Sequence, residues 1–240
     1  MDRDDYLVRL DRMLQDVGEF LQPDDNEIFL NQAVLIFSKD RPLVKVYEVT
    51  GDGSTFDFAM PSDWVENFSY IDGAIEYPVD DTVQAQTFLE SEDWQLIKKL
   101  VLTVTTLYLR FKTFVPASGI KARFTYAAKH TLNTTTCTIT DNDSNAVLAL
   151  AAGLCYWALA ARFAQHSDST IEADVIDYAR KSDIYKELAL QKMDMYRSLM
   201  GIGSKKDALS AASAGVSIKD YDLRYPGGLG DYLTHPSFTR

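Results

Sequence analysis

Residues 143–165, DSNAVLALAAGLCYWALAARFAQ, and 171–203, IEADVIDYARKSDIYKELALQKMDMYRSLMGIG, flank the short polar run His166-Ser167-Asp168-Ser169-Thr170. The first segment is rich in alanine (Ala146, Ala149, Ala151, Ala152, Ala158, Ala160, Ala161, Ala164). Alanine loses little on entering a helix and lets neighbouring backbones approach closely, so this helix should sit between other elements. The second segment places Ile171, Val175, Tyr178, Ser182, Tyr185, Ala189, Met193, Tyr196 and Met200 at steps of three and four, a mostly apolar helical seam. A short connection between two long helices makes them antiparallel neighbours. Residues 141–203 therefore read as a helical hairpin that ends at Gly201 and Gly203.

Working outward, Leu7, Leu10, Leu14, Val17 and Leu21 predict an amphipathic helix over 6–21. Asp24 followed by Glu27 predicts a capping box opening a second helix over 25–38, closed by Arg41-Pro42. From Leu43 the period shortens to that of strands. Residues 43–49 and 55–60 read as a hairpin about Thr50-Gly51-Asp52-Gly53-Ser54. Further strands are expected at 69–77, 94–98, 100–103, 106–111 and 121–129, with a weaker one at 137–140. The expected architecture is α+β. Two helical hairpins, 1–42 and 141–203, form a discontinuous four-helix core, and an antiparallel β-sandwich or barrel over 43–140 is inserted between them. Residues 204–240 form an extended C-terminal arm. They are small, polar and glycine-rich, yet carry Tyr221, Tyr225, Tyr232 and Phe238, which reads as a docking arm.

Composition narrows the function. The chain of 240 residues is 46% hydrophobic and 25% charged, the values of an ordinary soluble protein. Its formal net charge of -11 argues against a general nucleic-acid binder. Arg162 interrupts the alanine-rich segment before it reaches the ~18 apolar residues of a membrane span, and Met1-Asp2-Arg3-Asp4-Asp5 lacks the pattern of a signal peptide. Synthesis in the cytosol is the expectation.

The chemical motifs fail on their own spacing. Asp141-Asn142-Asp143-Ser144-Asn145 fits the first liganding positions of a calcium loop, but Ala146 and Ala152 stand where glycine and glutamate are required. Asp141 or Asp143 is expected as a helix cap instead. His130, His166 and His235 fall in three segments without a second ligand at metal spacing. His166 and Asp168 lie close in sequence, but acids at a helix start need no further reason. Cys137 and Cys155 form neither a disulfide framework nor a nucleophile motif. Gly201-Ile202-Gly203-Ser204-Lys205 lacks phosphate-loop spacing, and the patterns at Asn67 and Asn133 are chance matches to glycosylation sites. No catalytic residue, metal or cofactor is expected.

Several segments in order resemble the head-to-tail adaptor (connector, or neck) proteins of tailed bacteriophages. They are Leu14-Gln15-Asp16, Asn31-Gln32-Ala33, Asp40-Arg41-Pro42-Leu43, residues 55–64 (TFDFAMPSDW), Tyr126-Ala127-Ala128-Lys129-His130, Thr138-Ile139-Thr140-Asp141 and Ser167-Asp168-Ser169-Thr170-Ile171. The match spans about residues 7–200. It implies a structural virion protein, not an enzyme: a homo-oligomeric ring, typically of twelve subunits, beneath the portal protein. Such a ring extends the channel through which genomic DNA passes without specific binding. The helical part would meet the portal and neighbouring subunits, and the β unit would face a downstream tail, neck or fibre protein. No membrane is involved. An acidic wall would let DNA slide, and Glu172, Asp177 and Asp183, off the helical seam, are candidates to line it. Tyr221, Tyr225, Tyr232 and Phe238 are candidates for portal docking. The alternative is a β-sandwich recognition module for a fibre or glycan on a helical base, which would require Trp64 or Trp94 to be exposed.

Overall fold

A computed structural model of the chain describes residues 1–14, 20–22, 24–79, 87–101, 104–165 and 172–203, the side chains of 101, 104 and 172–179 excepted. Among these residues it is a mixed α+β fold with four helices and two antiparallel sheets. The helices are α1 (Arg3–Leu14), α2 (Asp25–Asp40), α3 (Asp141–Gln165) and α4 (Glu172–Met200). The strands are β1 (Leu43–Thr50), β2 (Asp57–Ala59), β3 (Ile71–Glu76), β4 (Phe88–Leu89), β5 (Trp94–Val101), β6 (Val104–Phe111) and β7 (Lys121–Ala128). By contact the chain divides into two compact units, Met1–Cys155 and Tyr156–Arg240, with the boundary inside α3.

In the first unit the helical periodicity is realised as burial. Tyr6, Leu10 and Leu14 of α1 and Leu30, Ala33, Val34 and Phe37 of α2 are buried. Arg3 donates to Glu27 at 2.6 Å and Asn26 to Asp11 at 2.7 Å, tying the two helices along their polar flank. That tie explains why the expected capping box does not form. Asp24 makes no side-chain cap bond, Glu27 is engaged by Arg3, and Asp25 accepts the Gln22 N–H at 2.9 Å. The start of α3 also differs from expectation, since Asp141 and Asp143 lie within its first turn rather than before it. Asp143 accepts the Thr140 hydroxyl at 2.8 Å and pairs with Arg41 from the end of α2.

The strands form two open sheets, in the orders β1-β7-β3-β4 and β2-β6-β5, and neither closes into a barrel. Val49, Ile75, Phe124 and Tyr126 from the first sheet and Leu109 and Phe111 from the second share one apolar core. β7 supplies the middle of that core because its alternate residues Ala122, Phe124, Tyr126 and Ala128 all turn inward.

The expected hairpin of 43–49 with 55–60 is not formed. β1 pairs along its whole length with β7, from Leu43↔Ala128 to Thr50↔Lys121, and β2 pairs with β6 in the other sheet. The turn residues are held by a different loop. Gly51 N–H donates to Ile120 O at 2.7 Å, Gly53 N–H to Pro116 O at 3.1 Å, and Gly119 N–H to Gly51 O at 2.9 Å. Only glycine allows this approach at position 51, since a Cβ there would lie 2.6 Å from the Pro116 carbonyl oxygen. The chain thus passes from one sheet to the other.

Residues 94–98 and 100–103, expected as two strands, lie in a single β5 as far as Val101, in unbroken register with β6 from Trp94↔Phe111 to Val101↔Val104. Residues 102–103 are outside the described residues. β4 was not foreseen, and 137–140 contributes only the isolated bridge Leu132↔Cys137.

The alanine-rich helix α3 is longer and more apolar than the break at Arg162 suggested. An 18-residue window has a mean hydropathy of 1.7, enough by length and composition to cross a membrane. However, 72% of that window is buried within the protein, the environment of a core helix. In the second unit, Ser182 Oγ donates to Ala160 O at 2.9 Å and Met193 lies beside Trp157, so the two helices run antiparallel as expected. Tyr185 stacks between Tyr156 and Phe163, with centroids 6.3 and 5.3 Å away. At the end of α4, Gly201 adopts φ 68°, its N–H donates to Ser198 O and Ile202 N–H donates to Arg197 O. This is the Schellman stop expected of a glycine at that place.

Candidate interaction surfaces

Helix α4 has two apolar faces. The expected seam is observed from Ser182 onward: Ala189 and Tyr196 are buried, and Ser182, Tyr185, Met193 and Met200 are half-buried. Ile184, Leu188, Met195 and Leu199 form a second stripe. At about 100° per residue, steps of four, seven and four keep them within a narrow sector roughly a third of a turn from the seam. Leu188 is half-buried, whereas Ile184, Met195 and Leu199 are 47%, 44% and 47% exposed. By the same spacing Glu187 and Gln191 lie on one side of the stripe and Lys181 and Lys192 on the other. An apolar strip with a polar rim is the pattern of a surface that meets another surface.

Of the three acids expected to line a channel, Asp183 is exposed on α4. Glu172 and Asp177 belong to the backbone of the same helix, and their side chains are outside the description. Tyr221, Tyr225, Tyr232 and Phe238 lie outside the described residues, as do His166, Asp168 and His235.

The β unit carries its charge as pairs across strands. On the second sheet, Arg110 and Lys99 both engage Asp57. Hydrogen bonds from Arg110, then from Lys99, hold that carboxyl down at about 2 against the opposing effect of burial. On the first sheet, Glu48 accepts from Lys121 at 2.7 Å and from Arg123 at 2.8 Å, and Arg123 lies 3.6 Å from the buried Glu76. These groups neutralise one another along the two sheets.

A third cluster secures residues 61–69. Asp63 accepts from Lys45 and from the Tyr126 hydroxyl, both at 2.6 Å, and Trp64 stacks on the Tyr126 ring at 5.9 Å. Burial raises the Asp63 carboxyl, but the two hydrogen bonds outweigh it and leave it lowered. The Tyr126 hydroxyl is pushed well up, first by burial and then by Asp63. Trp64 and Trp94 are both half-buried against the shared core, so neither is an open platform.

His130 ties the exit of β7 to the end of α2. Its backbone N–H donates to Ser38 Oγ at 3.0 Å, and Nε2 lies 3.0 Å from Arg41 O. Nδ1 lies 3.2 Å from both Thr138 O and Thr138 Oγ1. Burial lowers its pKa. Both ring nitrogens face protein oxygens, so the imidazole works as a fastener and is not held out toward solvent. Cys155 is buried and its thiol is pushed up to about 12 by burial, the opposite of what a nucleophile needs. Among the described residues no three His, Cys, Asp or Glu side chains converge as metal ligands.

The second stripe on α4 was missed in the sequence because the seam accounted for the helical period by itself. Its signal was present in the spacing of Ile184, Leu188, Met195 and Leu199 once the seam residues are set aside. No protein-family model matches the chain, and no curated protein matches it significantly.

Proposed function

We propose that the chain is the head-to-tail adaptor of a tailed bacteriophage, a structural subunit whose copies form a ring beneath the portal and join capsid to tail. The observation that carries this reading is the second apolar stripe of α4. Ile184, Met195 and Leu199 are 44–47% exposed, and in a ring each copy would cover the stripe of its neighbour. The ordered resemblance along residues 7–200 supports the same role, as does the net charge of -11, which suits a channel wall that DNA must pass without adhering.

In this reading the hairpins 1–42 and 141–203 form one discontinuous four-helix core, and the β unit meets the next protein of the neck or tail. Residues 204–240 dock on the portal through Tyr221, Tyr225, Tyr232 and Phe238. Glu172, Asp177 and Asp183 belong to the channel side. Co-sedimentation of the chain with its portal tests this. The full chain should form a defined complex, and truncation after Gly203 should weaken it by at least about tenfold, a loss of ~1.4 kcal/mol. Equal binding by the truncated chain would contradict the docking arm, and no complex at all would contradict the adaptor.

A further inference from the structure

Each sheet of the β unit ends on one long edge. β1 pairs only with β7 and β5 only with β6, over eight residues in unbroken register in both cases. The opposite edge strands, β2 and β4, are three and two residues long. Among the described residues no backbone hydrogen bond reaches β1 or β5 from the outer side. The ladders show which groups are left over, because alternate residues of an antiparallel pair bond the partner strand. Gly51 N–H to Ile120 O continues the β1–β7 ladder, so the odd residues of β1 face β7. Val44, Val46 and Glu48 therefore turn their N–H and C=O groups outward. On β6, Met60 N–H to Leu107 O and Phe111 N–H to Phe56 O assign the odd residues to β2. Its even residues bond Gln95, Ile97 and Lys99, and Leu96, Lys98 and Leu100 turn outward from β5.

Sheet edges are ordinarily guarded by short length, proline, a bulge or a free lysine. β1 and β5 have none of the first three, and their lysines are occupied: Lys45 by Asp63, Lys98 by Glu66 and Lys99 by Asp57. The outward residues instead carry uncovered apolar side chains. Val44 and Val46 are 56% and 61% exposed, and Leu96 and Leu100 are 37% and 72% exposed. The two edges belong to different sides of the β unit, since Trp94 of β5 shares a cavity with β4, at the far end of the first sheet from β1. Charge decides which strand fits which edge. Lys45 turns toward β7 and Glu48 away from it, so β1 paired antiparallel with a second β1 never sets one opposite the other. β5 offers only cations, Lys98 and Lys99. β1 against β5 alone opposes unlike charges. With Val46 opposite Leu100 of a second copy, Glu48 falls opposite Lys98 and no like charges face each other, a favourable set of cross-strand pairs.

We propose that the outer edge of β1 pairs antiparallel with the outer edge of β5 of a second copy, joining neighbouring β units head to tail. This deepens the adaptor reading and rests on its ring, because a contact between two different edges repeats in one direction. The test uses the full chain with Cys137→Ser, carrying Val46→Cys and Leu100→Cys singly or together, treated with a short bismaleimide alone and with the portal. The chain with both cysteines should give a ladder of multimers on a denaturing gel. The two single variants mixed should give only dimers that hold one of each, and either single variant alone should give none. Lys98→Glu, which sets an acid opposite Glu48, should cut the ladder by at least about threefold. Val46, Lys98 and Leu100 are exposed, so unchanged unfolding midpoints will separate loss of contact from loss of fold. The proposal is overturned if no ladder forms with or without portal, if Val46→Cys alone cross-links as well as the mixture, or if Lys98→Glu has no effect. A ring imaged without the ladder overturns the strand contact and leaves the adaptor reading standing. A ladder without any ring keeps the contact and contradicts the adaptor reading.

Discussion

Arg110 grips Asp57 at two points across the β2–β6 register, Nε to Oδ1 at 2.6 Å and Nη2 to Oδ2 at 2.8 Å. Lys99 reaches the same carboxylate from β5, so one acid joins all three strands of the second sheet. A two-point arginine–carboxylate contact fixes orientation as well as distance.

That contact predicts acid sensitivity. The Asp57 carboxyl is held down at about 2 from an ordinary value near 3.8, mainly by Arg110. A lowered carboxyl contributes stability that is complete above its unfolded value and is lost as pH falls toward its folded one. The expected outcome in urea unfolding is a gap between wild type and Asp57→Asn that is widest above pH 4 and narrows on descent toward pH 2. A gap that does not change with pH would show that the pair adds nothing titratable.

His130 works in the other pH range. Burial lowers its pKa from 6.5, so the unfolded chain takes up a proton more readily than the folded one. Stability should therefore fall as pH drops below about 6.5, and His130→Gln should flatten that part of the curve. The denaturant midpoint measured from pH 7.5 to 5 checks both the slope and its origin.

The sheet core should be intolerant of truncation and the alanine helix of enlargement. Phe111 is fully buried and touches Phe58, Tyr77 and Phe114 at centroid distances of 5.3–6.3 Å. Phe111→Ala should cost about 3–5 kcal/mol. Ala152 is fully buried in α3, and Ala152→Leu should cost about 1–3 kcal/mol by overpacking. Equilibrium denaturation of each variant measures these losses.

At the turn between sheets, Gly51→Ala should cost about 1–3 kcal/mol, because the added Cβ meets the backbone of 116–117 and not a side chain that could swing away. Amide exchange at Gly53, whose N–H bonds Pro116 O, should quicken before exchange at the β7 core.

Helices were the more legible half of the fold, for a local reason. The period that places Tyr6, Leu10 and Leu14, or Ala189 and Tyr196, on one face is the same quantity that burial then follows. Strand segments such as 121–128 were legible in the same way, but partners were not. The glycines at 51 and 53 look the same whether the turn folds β1 back on itself or carries it to the other sheet, and only the distant loop 116–120 decides. Helix capping misled for a related reason, since Glu27 had a competing partner 24 residues away in Arg3. β4 was invisible because only Phe88 and Leu89 pair with β3, too few residues to show a period. The exposed stripe of α4 could have been read from spacing, but only burial distinguishes it from the seam.

The adaptor reading rests most directly on assembly through that stripe. Particle imaging and mass photometry of the full chain, alone and with its portal, should show a closed ring of one copy number. Leu199→Asp, a change at an exposed position, should reduce that ring to smaller species while leaving helical content intact. A chain that stays monomeric with its portal at high concentration, or a ring that Leu199→Asp leaves untouched, would contradict the account.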